Sequence, residues 1–196
     1  DLPCMDNDQL RRGKPTNHIV YGEATALLAG DSLLTEAFFV VSEAYKSEPM
    51  LANKLIQLLS LAAGLRGMIA GQALDMKMPT PLSFDYLNLL HQLKTGRLIR
   101  LAVEGAAEVC FAPSTEISLL SQFGESLGLA FQVADDLLDA DNEKDKGKSF
   151  VSLLGKEGTK EYLKKISDHC LQLLSQLSKK SELLVAMVDY NLKRDS

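Results

Sequence analysis

The chain has 196 residues, 46% apolar, 24% charged and 6% aromatic with no tryptophan, and a formal net charge of −5. That apolar share excludes a disordered chain, and 13 Gly with 6 Pro exclude a collagen-like or low-complexity one. A sequence pI near 5.3 argues against a dedicated nucleic-acid binder, whose affinity comes from a basic surface, but leaves room for a phosphorylated ligand, because metal ions bridge carboxylate to phosphate.

The length is ample for one domain with a buried core, so 1–196 reads as a single domain. A loop rich in Asp, Arg, Gly and Pro occupies 1–20. From about 22 to 45, Ala26, Leu27, Ala29, Leu33, Leu34, Ala37, Phe38 and Val41 recur at helical spacing. A second helix covers roughly 51–76, with Pro79 and Pro81 marking its exit. Ser83 is placed to cap a third helix, and Asp85 sits in its first turn where the dipole favours an anion. That helix runs to about 112, where Pro113 stops it, a length of ~45 Å at 1.5 Å per residue. A fourth spans about 115–139. A charged loop from Asp141 to Ser149 leads to helices at about 158–178 and 182–194. No segment alternates with period two beside turn signals, so essentially no sheet is expected and the class is all-α.

Three cysteines (Cys4, Cys110 and Cys170) lie far apart without a CxxC pair. Reduced, mostly buried thiols of a cytoplasmic protein are expected. No uninterrupted apolar run approaches the ~18 residues of a spanning helix, so no membrane span is expected. Gly64, Gly67, Gly71, Gly124 and Gly128 sit where long helices would need to approach closely. Their spacing is not that of a dinucleotide-binding turn, and no strand precedes them.

The strongest local signal is FQVADDLLD at 131–139. On a helix, Gln132, Asp135, Asp136 and Asp139 share one stripe, since positions i, i+3, i+4 and i+7 are neighbours. Three carboxylates on one stripe repel one another near a helix end whose dipole also disfavours anions. A solvated acidic face is one reading. The other is a hard divalent cation: magnesium held by one or two carboxylates, with water and phosphate oxygens completing its shell. A second cluster opens the chain, where Asp1, Asp6 and Asp8 precede Arg11 and Arg12. Such a loop is either an exposed charged segment or a grip for a metal–phosphate complex, with carboxylates on the metal and guanidinium forks on the remaining oxygens.

These stretches together resemble the trans-isoprenyl diphosphate synthase family, in its bacterial farnesyl or geranylgeranyl diphosphate synthase form. The resemblance rests on DLPCMDNDQLRRGKPTNH at 1–18, YGEATALLAGDSLL at 21–34, GQALDM at 71–76, HQLKTGRLI at 91–99, FQVADDLLD at 131–139 and SLLGKE at 152–157, in family order. It implies an isoprenoid-synthase-type helical bundle around a central cavity, a homodimer, and a chain that lacks the family's N-terminal helices. The implied activity is Mg2+-dependent head-to-tail prenyl transfer. Isopentenyl diphosphate condenses with dimethylallyl or geranyl diphosphate to give farnesyl diphosphate and pyrophosphate. A geranylgeranyl or other short-chain synthase, or a non-catalytic partner subunit, is the alternative.

Residue by residue, the resemblance makes Asp6, Asp135 and Asp139 magnesium ligands, with Asp1 in support and about three ions per site. It implies catalytic roles for Asp6, Lys94, Asp135 and Asp136. Arg11 resembles the allylic-diphosphate arginine and Arg12 the isopentenyl-diphosphate arginine. Lys94, Thr95, Gln132 and Lys148 resemble groups that hold the allylic diphosphate, and Gln72 and Asp75 match the family's GQ-x-x-D segment. Gln9 stands where the family has another Asp, and the loop after Asp139 is shorter than the family's. His18, His91 and His169 pair with no Ser or Cys and read as polar packing groups. The Glu-x-x-His pairs that a helical di-iron protein needs are absent.

Overall fold

The computed structural model describes residues 1–140 and 147–194, so most of the charged loop expected from Asp141 lies outside the described residues. The chain forms two units, Asp1–Ile56 and Gln57–Ser196, each described by itself below.

In the first unit, Leu2 accepts the backbone N–H groups of Met5 (2.9 Å) and Asn7 (3.1 Å), closing a turn over the acidic segment. A ribbon that the sequence pattern does not foretell follows. Strands β1 (Leu10–Arg11) and β2 (Lys14–Pro15) pair antiparallel. Their connection is Arg12-Gly13 with φ of 52° and 74°, the positive pair a two-residue hairpin turn needs. Strands of two residues are too short to carry an alternating pattern. Buried Thr16 anchors the ribbon: its hydroxyl donates to the Asp8 carbonyl (2.7 Å) and its N–H to the Gln9 carbonyl (2.9 Å). Helices α1 (Asn17–Tyr21) and α2 (Glu23–Ala44) follow.

None of α2's residues is buried, although Leu27, Leu28, Leu33, Leu34, Phe39 and Val40 lie on it. By length and composition α2 could cross a membrane, as could the stretch Pro49–Asp75. This corrects the expectation that no such segment exists. In α2 the apolar runs are broken by Thr25, Gly30, Asp31, Ser32, Thr35 and Glu36, so no single run is long although the window as a whole is apolar.

Helix α3 (Pro49–Ala63) belongs to the first unit up to Ile56. The single helix expected over 51–76 is in fact two, α3 and α4 (Met68–Asp75). Two glycines in the four residues 64–67 lower helix propensity enough for the chain to turn there. Helix α5 (Phe84–His91) starts as expected, with the Ser83 hydroxyl accepting the Tyr86 N–H at 3.2 Å. The long third helix contains one π-turn, Gln92–Gly96, before it continues as α6 (Arg97–Val109). Helix α7 (Ser114–Leu138) matches the reading of the fourth. Helix α8 (Phe150–Ser175) begins eight residues earlier than expected and is bent at Gly155; Ser149 and Ser152 form a reciprocal cap at its start. Helix α9 (Glu182–Lys193) closes the described fold, again with a serine cap, Ser181.

The core of the second unit lies between α7 and α8. Leu87, Phe123, Leu127, Val133, Phe150, Leu163, Cys170 and Val188 are among its buried members. Two backbone approaches set its geometry. A Cβ at Gly71 would lie 2.3 Å from the Lys94 backbone nitrogen, and one at Gly128 would lie 2.6 Å from Gly96 Cα. These glycines therefore let α4 and α7 sit directly against the π-turn. Gly128→Ala is expected to cost about 1–3 kcal/mol by overpacking, measured as a lower urea midpoint, because the opposing atom is backbone and has no rotamer to escape into.

The thiols differ from expectation: Cys170 is buried, but Cys4 and Cys110 are exposed. Burial pushes the Cys170 thiol up to about 12, leaving it without reactive thiolate. A thiol reagent should modify the two exposed cysteines of the native protein quickly and the third only after unfolding.

Candidate active site

The π-turn is where the site begins. A π-turn inserts one extra residue into a helix and is found mostly at functional positions. Here it carries Lys94 and Thr95. Asp75, at the end of α4, forms an ion pair with Lys94 Nζ, and Gly71 lets α4 come close enough for that pair to form. The sequence matches Asp75 only to the GQ-x-x-D segment, and its partner is not legible there. Thr95 is half-buried beside Lys94.

The last two turns of α7 carry the acidic stripe. Gln132 Nε2 donates to Asp135 Oδ2 at 3.1 Å, as their i, i+3 spacing allows. Asp135 Oδ1 receives a partner that the motif does not reveal, Nη2 of Arg194 just past α9. Burial raises the Asp135 carboxyl above the ordinary carboxylate range, the Arg194 charge and hydrogen bond pull it back, and Asp139 adds repulsion. Asp136 is also tied to the fold. Its Oδ2 accepts the Phe150 N–H at 2.6 Å, tying the first residue of α8 to α7. Exposed Lys148 lies two residues before Phe150, just ahead of the α8 start that Asp136 tethers.

The donors are hard oxygens. Asp135 and exposed Asp139 lie one helical turn apart, and among the described residues no three His, Cys, Asp or Glu side chains converge on one point. That set fits magnesium, which binds through one or two carboxylates and keeps water and phosphate oxygens in its remaining positions. Asp1, Asp6, Arg11 and Arg12 belong to the first unit and are all exposed. Arg11 lies in β1 and Arg12 at the hairpin tip, so adjacent arginines occupy different backbone settings.

Two further groups hold these parts in place. Arg97 pairs with Glu125, and Arg100 bridges Glu125 (2.7 Å) and Glu104 (2.7 Å), locking α6 to α7 below the π-turn. An aromatic cluster docks α8's first turn on α5: Phe84 meets Phe150 at 5.6 Å and Tyr162 at 5.1 Å, and buried His91 meets Phe150 at 5.6 Å. The Tyr162 hydroxyl donates to Asn88 Oδ1 at 2.8 Å.

A predominantly helical protein with an acid-and-cation cluster in each unit is the class these features define, and comparison with known proteins names it. The family model described as polyprenyl synthetase matches residues 1–157. The farnesyl diphosphate synthase of Bacillus subtilis (strain 168) is 38% identical over all of this chain and 71% of its own length. An FPP/GFPP synthase structure from Zymomonas mobilis superposes with a TM-score of 0.90 at 37% identity, over 97% of this chain and 69% of that one. A geranyltransferase from Helicobacter pylori, complexed with magnesium and isoprenyl diphosphate, gives 0.82 at 36% identity, over 98% of this chain and 67% of that one. The chain belongs to the polyprenyl synthetase family and spans about seven tenths of these relatives' length.

His91 yields a pH test. Burial lowers its pKa from 6.5 to about 4, with Asp75 opposing and Lys94 assisting. The unfolded chain therefore binds a proton that the folded one refuses between those values. The neutral ring's contribution is complete above pH 6.5 and is lost as pH falls through 6.5 toward 4. At ~1.4 kcal/mol per pKa unit the loss reaches roughly 3 kcal/mol. Urea unfolding of wild type should weaken by that much relative to His91→Phe across the same range.

Proposed function

We propose that the chain carries out Mg2+-dependent head-to-tail prenyl transfer as a single synthase domain over 1–196. An allylic diphosphate and isopentenyl diphosphate are joined to give farnesyl diphosphate and pyrophosphate. The observation that carries this reading is that α7, which bears the stripe of Asp135 and Asp139, packs directly on the π-turn that bears Lys94, with Gly128 meeting Gly96. The magnesium and isoprenyl diphosphate bound by the Helicobacter pylori relative support the substrate class.

In this reading Asp135 and Asp139 would be the metal ligands of the second unit, and Asp6 with supporting Asp1 those of the first. Magnesium supplies Lewis-acid charge for the departing diphosphate, about three ions being the number the resemblance implies. Lys94, Arg11 and Lys148 take up the negative charge that grows on the leaving oxygen as the allylic C–O bond breaks, with Thr95 and Gln132 orienting the diphosphate. Arg12 grips the isopentenyl diphosphate. Its terminal double bond attacks the allylic carbon, a C–C bond forms, and the proton lost from the resulting cation passes to pyrophosphate. Apolar helix faces exclude water from that cation. No protein nucleophile takes part, which agrees with the aromatic packing of His91.

Exposed α2 is covered by a second copy of the chain in this proposal, and the protein is cytoplasmic. Lipid is the poorer cover, since Asp31 and Glu36 lie in the middle of the helix, where each would cost ~2.5–3.5 kcal/mol on the insertion scale.

Incubation of the full-length protein with Mg2+, labelled isopentenyl diphosphate and geranyl diphosphate should give a C15 product by chromatography. A C20 product instead assigns the geranylgeranyl alternative. No turnover by folded protein would assign a non-catalytic partner subunit. Asp135→Ala should abolish turnover while leaving the circular dichroism spectrum unchanged.

A further inference from the structure

Arg194 is out of place as a surface arginine. It follows the last turn of α9, directly after exposed Leu192 and Lys193, yet its side chain is only 10% exposed. Three contacts hold it there. The guanidinium carbon lies 4.2 Å from the Phe131 ring centroid, which is stacking distance for a cation over an aromatic face. Nη2 donates to the Phe131 carbonyl at 2.9 Å and also to Asp135 Oδ1. The carbonyl and the carboxylate are on successive turns of α7, and the two N–H groups of Nη2 reach both. On the other side of the same carboxylate, Gln132 Nε2 donates to Oδ2. Each carboxylate oxygen carries two lone pairs. With one engaged by Arg194 and one by Gln132, Asp135 is pinned about both side-chain torsions, and among the described residues a second lone pair on each oxygen has no hydrogen-bond partner.

We infer that Arg194 is a positioning residue for Asp135: it fixes the carboxylate in the orientation that receives the divalent cation, and so makes the end of α9 part of the metal site. This rests on the reading of Asp135 as a metal ligand. The inference does not follow from position, since Arg194 is 59 residues from Asp135 in sequence. It follows from the fork's anchoring. A side chain stacked on Phe131 and bonded to its carbonyl has a fixed tip, and the orientation it imposes on Asp135 is fixed with it. Partners of this kind behind a ligating group commonly govern metal affinity by about 10–100-fold.

The test uses the full-length protein with Mn2+ as the probe ion and inorganic pyrophosphate present, following the free-Mn2+ signal by electron paramagnetic resonance. Arg194→Gln should weaken Mn2+ binding by about tenfold. Arg194→Lys keeps the charge but not the planar guanidinium whose stacking on Phe131 holds the donating nitrogen in place, and it should stay weakened. In an Asp135→Asn background, Arg194→Gln should change binding no further, the signature of two residues acting through one contact. A merely structural role would lower the melting temperature and leave Mn2+ affinity alone. Wild-type or tighter Mn2+ binding by both Arg194 variants, or an undiminished effect of Arg194→Gln in the Asp135→Asn background, overturns the inference. If Asp135→Asn by itself binds Mn2+ as wild type does, the ligand reading fails and the inference falls with it. The single variant thus separates the two failures.

Discussion

The second unit depends on helices approaching at backbone distance around one short π-turn. Gly71 of α4 meets the Lys94 backbone, and Gly128 of α7 meets Gly96 on the other side of the same turn. Any side chain at either glycine would separate the helices it joins. Lys94 would then lose Asp75, and α7 would lose its register against α6, which Arg97, Arg100 and Glu125 reinforce with charge. Interiors are packed at crystal density and have few voids into which such a displacement could be absorbed. The site's cation is therefore positioned by an absence of side-chain atoms, and its anions are positioned from the same surface of α7.

The charge arrangement follows from that packing. Three aspartates on one stripe of α7 are unfavourable in isolation, yet each is in a different environment. Asp135 is shared between Gln132 and Arg194, Asp136 holds the start of α8, and Asp139 is left to solvent at the helix end. The repeated residue type conceals a division of labour. Asp136 contributes by closing a backbone donor that α8's first turn would otherwise leave unsatisfied. The same tether fixes the start of α8 on α7, and the aromatic contacts of Phe150 hold it as well.

Much of this is legible in the sequence. The all-α class, the bounds of α2 and α7, the start of α5 at the Ser83 cap and the glycine positions all follow from helical periodicity and capping chemistry, which act over a few residues. The stripe of Gln132, Asp135 and Asp139 is legible for the same reason. Where local signals are mixed, legibility fails. The 51–76 segment keeps its apolar period through Gly64 and Gly67, so the break is not visible. The ribbon at Leu10–Pro15 is too short to alternate. The start of α8 at Phe150 is hidden by the polar, glycine-bearing run that precedes and interrupts it. The exposure of Cys4 and Cys110 is not legible either, because burial depends on which face a neighbour covers.

By itself the sequence determined the family, the helical class and the chemical character of the two acidic clusters, because motif spacing and the 3.6-residue period are properties of contiguous chain. Only the tertiary structure decided which partner each charged group keeps. Asp75 and Lys94 are 19 residues apart, and Asp135 and Arg194 are 59 apart. Nothing local distinguishes Arg194 from any other basic residue near the end of an amphipathic helix. Its role comes from packing that places its guanidinium over Phe131. A contact between distant segments depends on every helix between them, and no window of sequence contains that information.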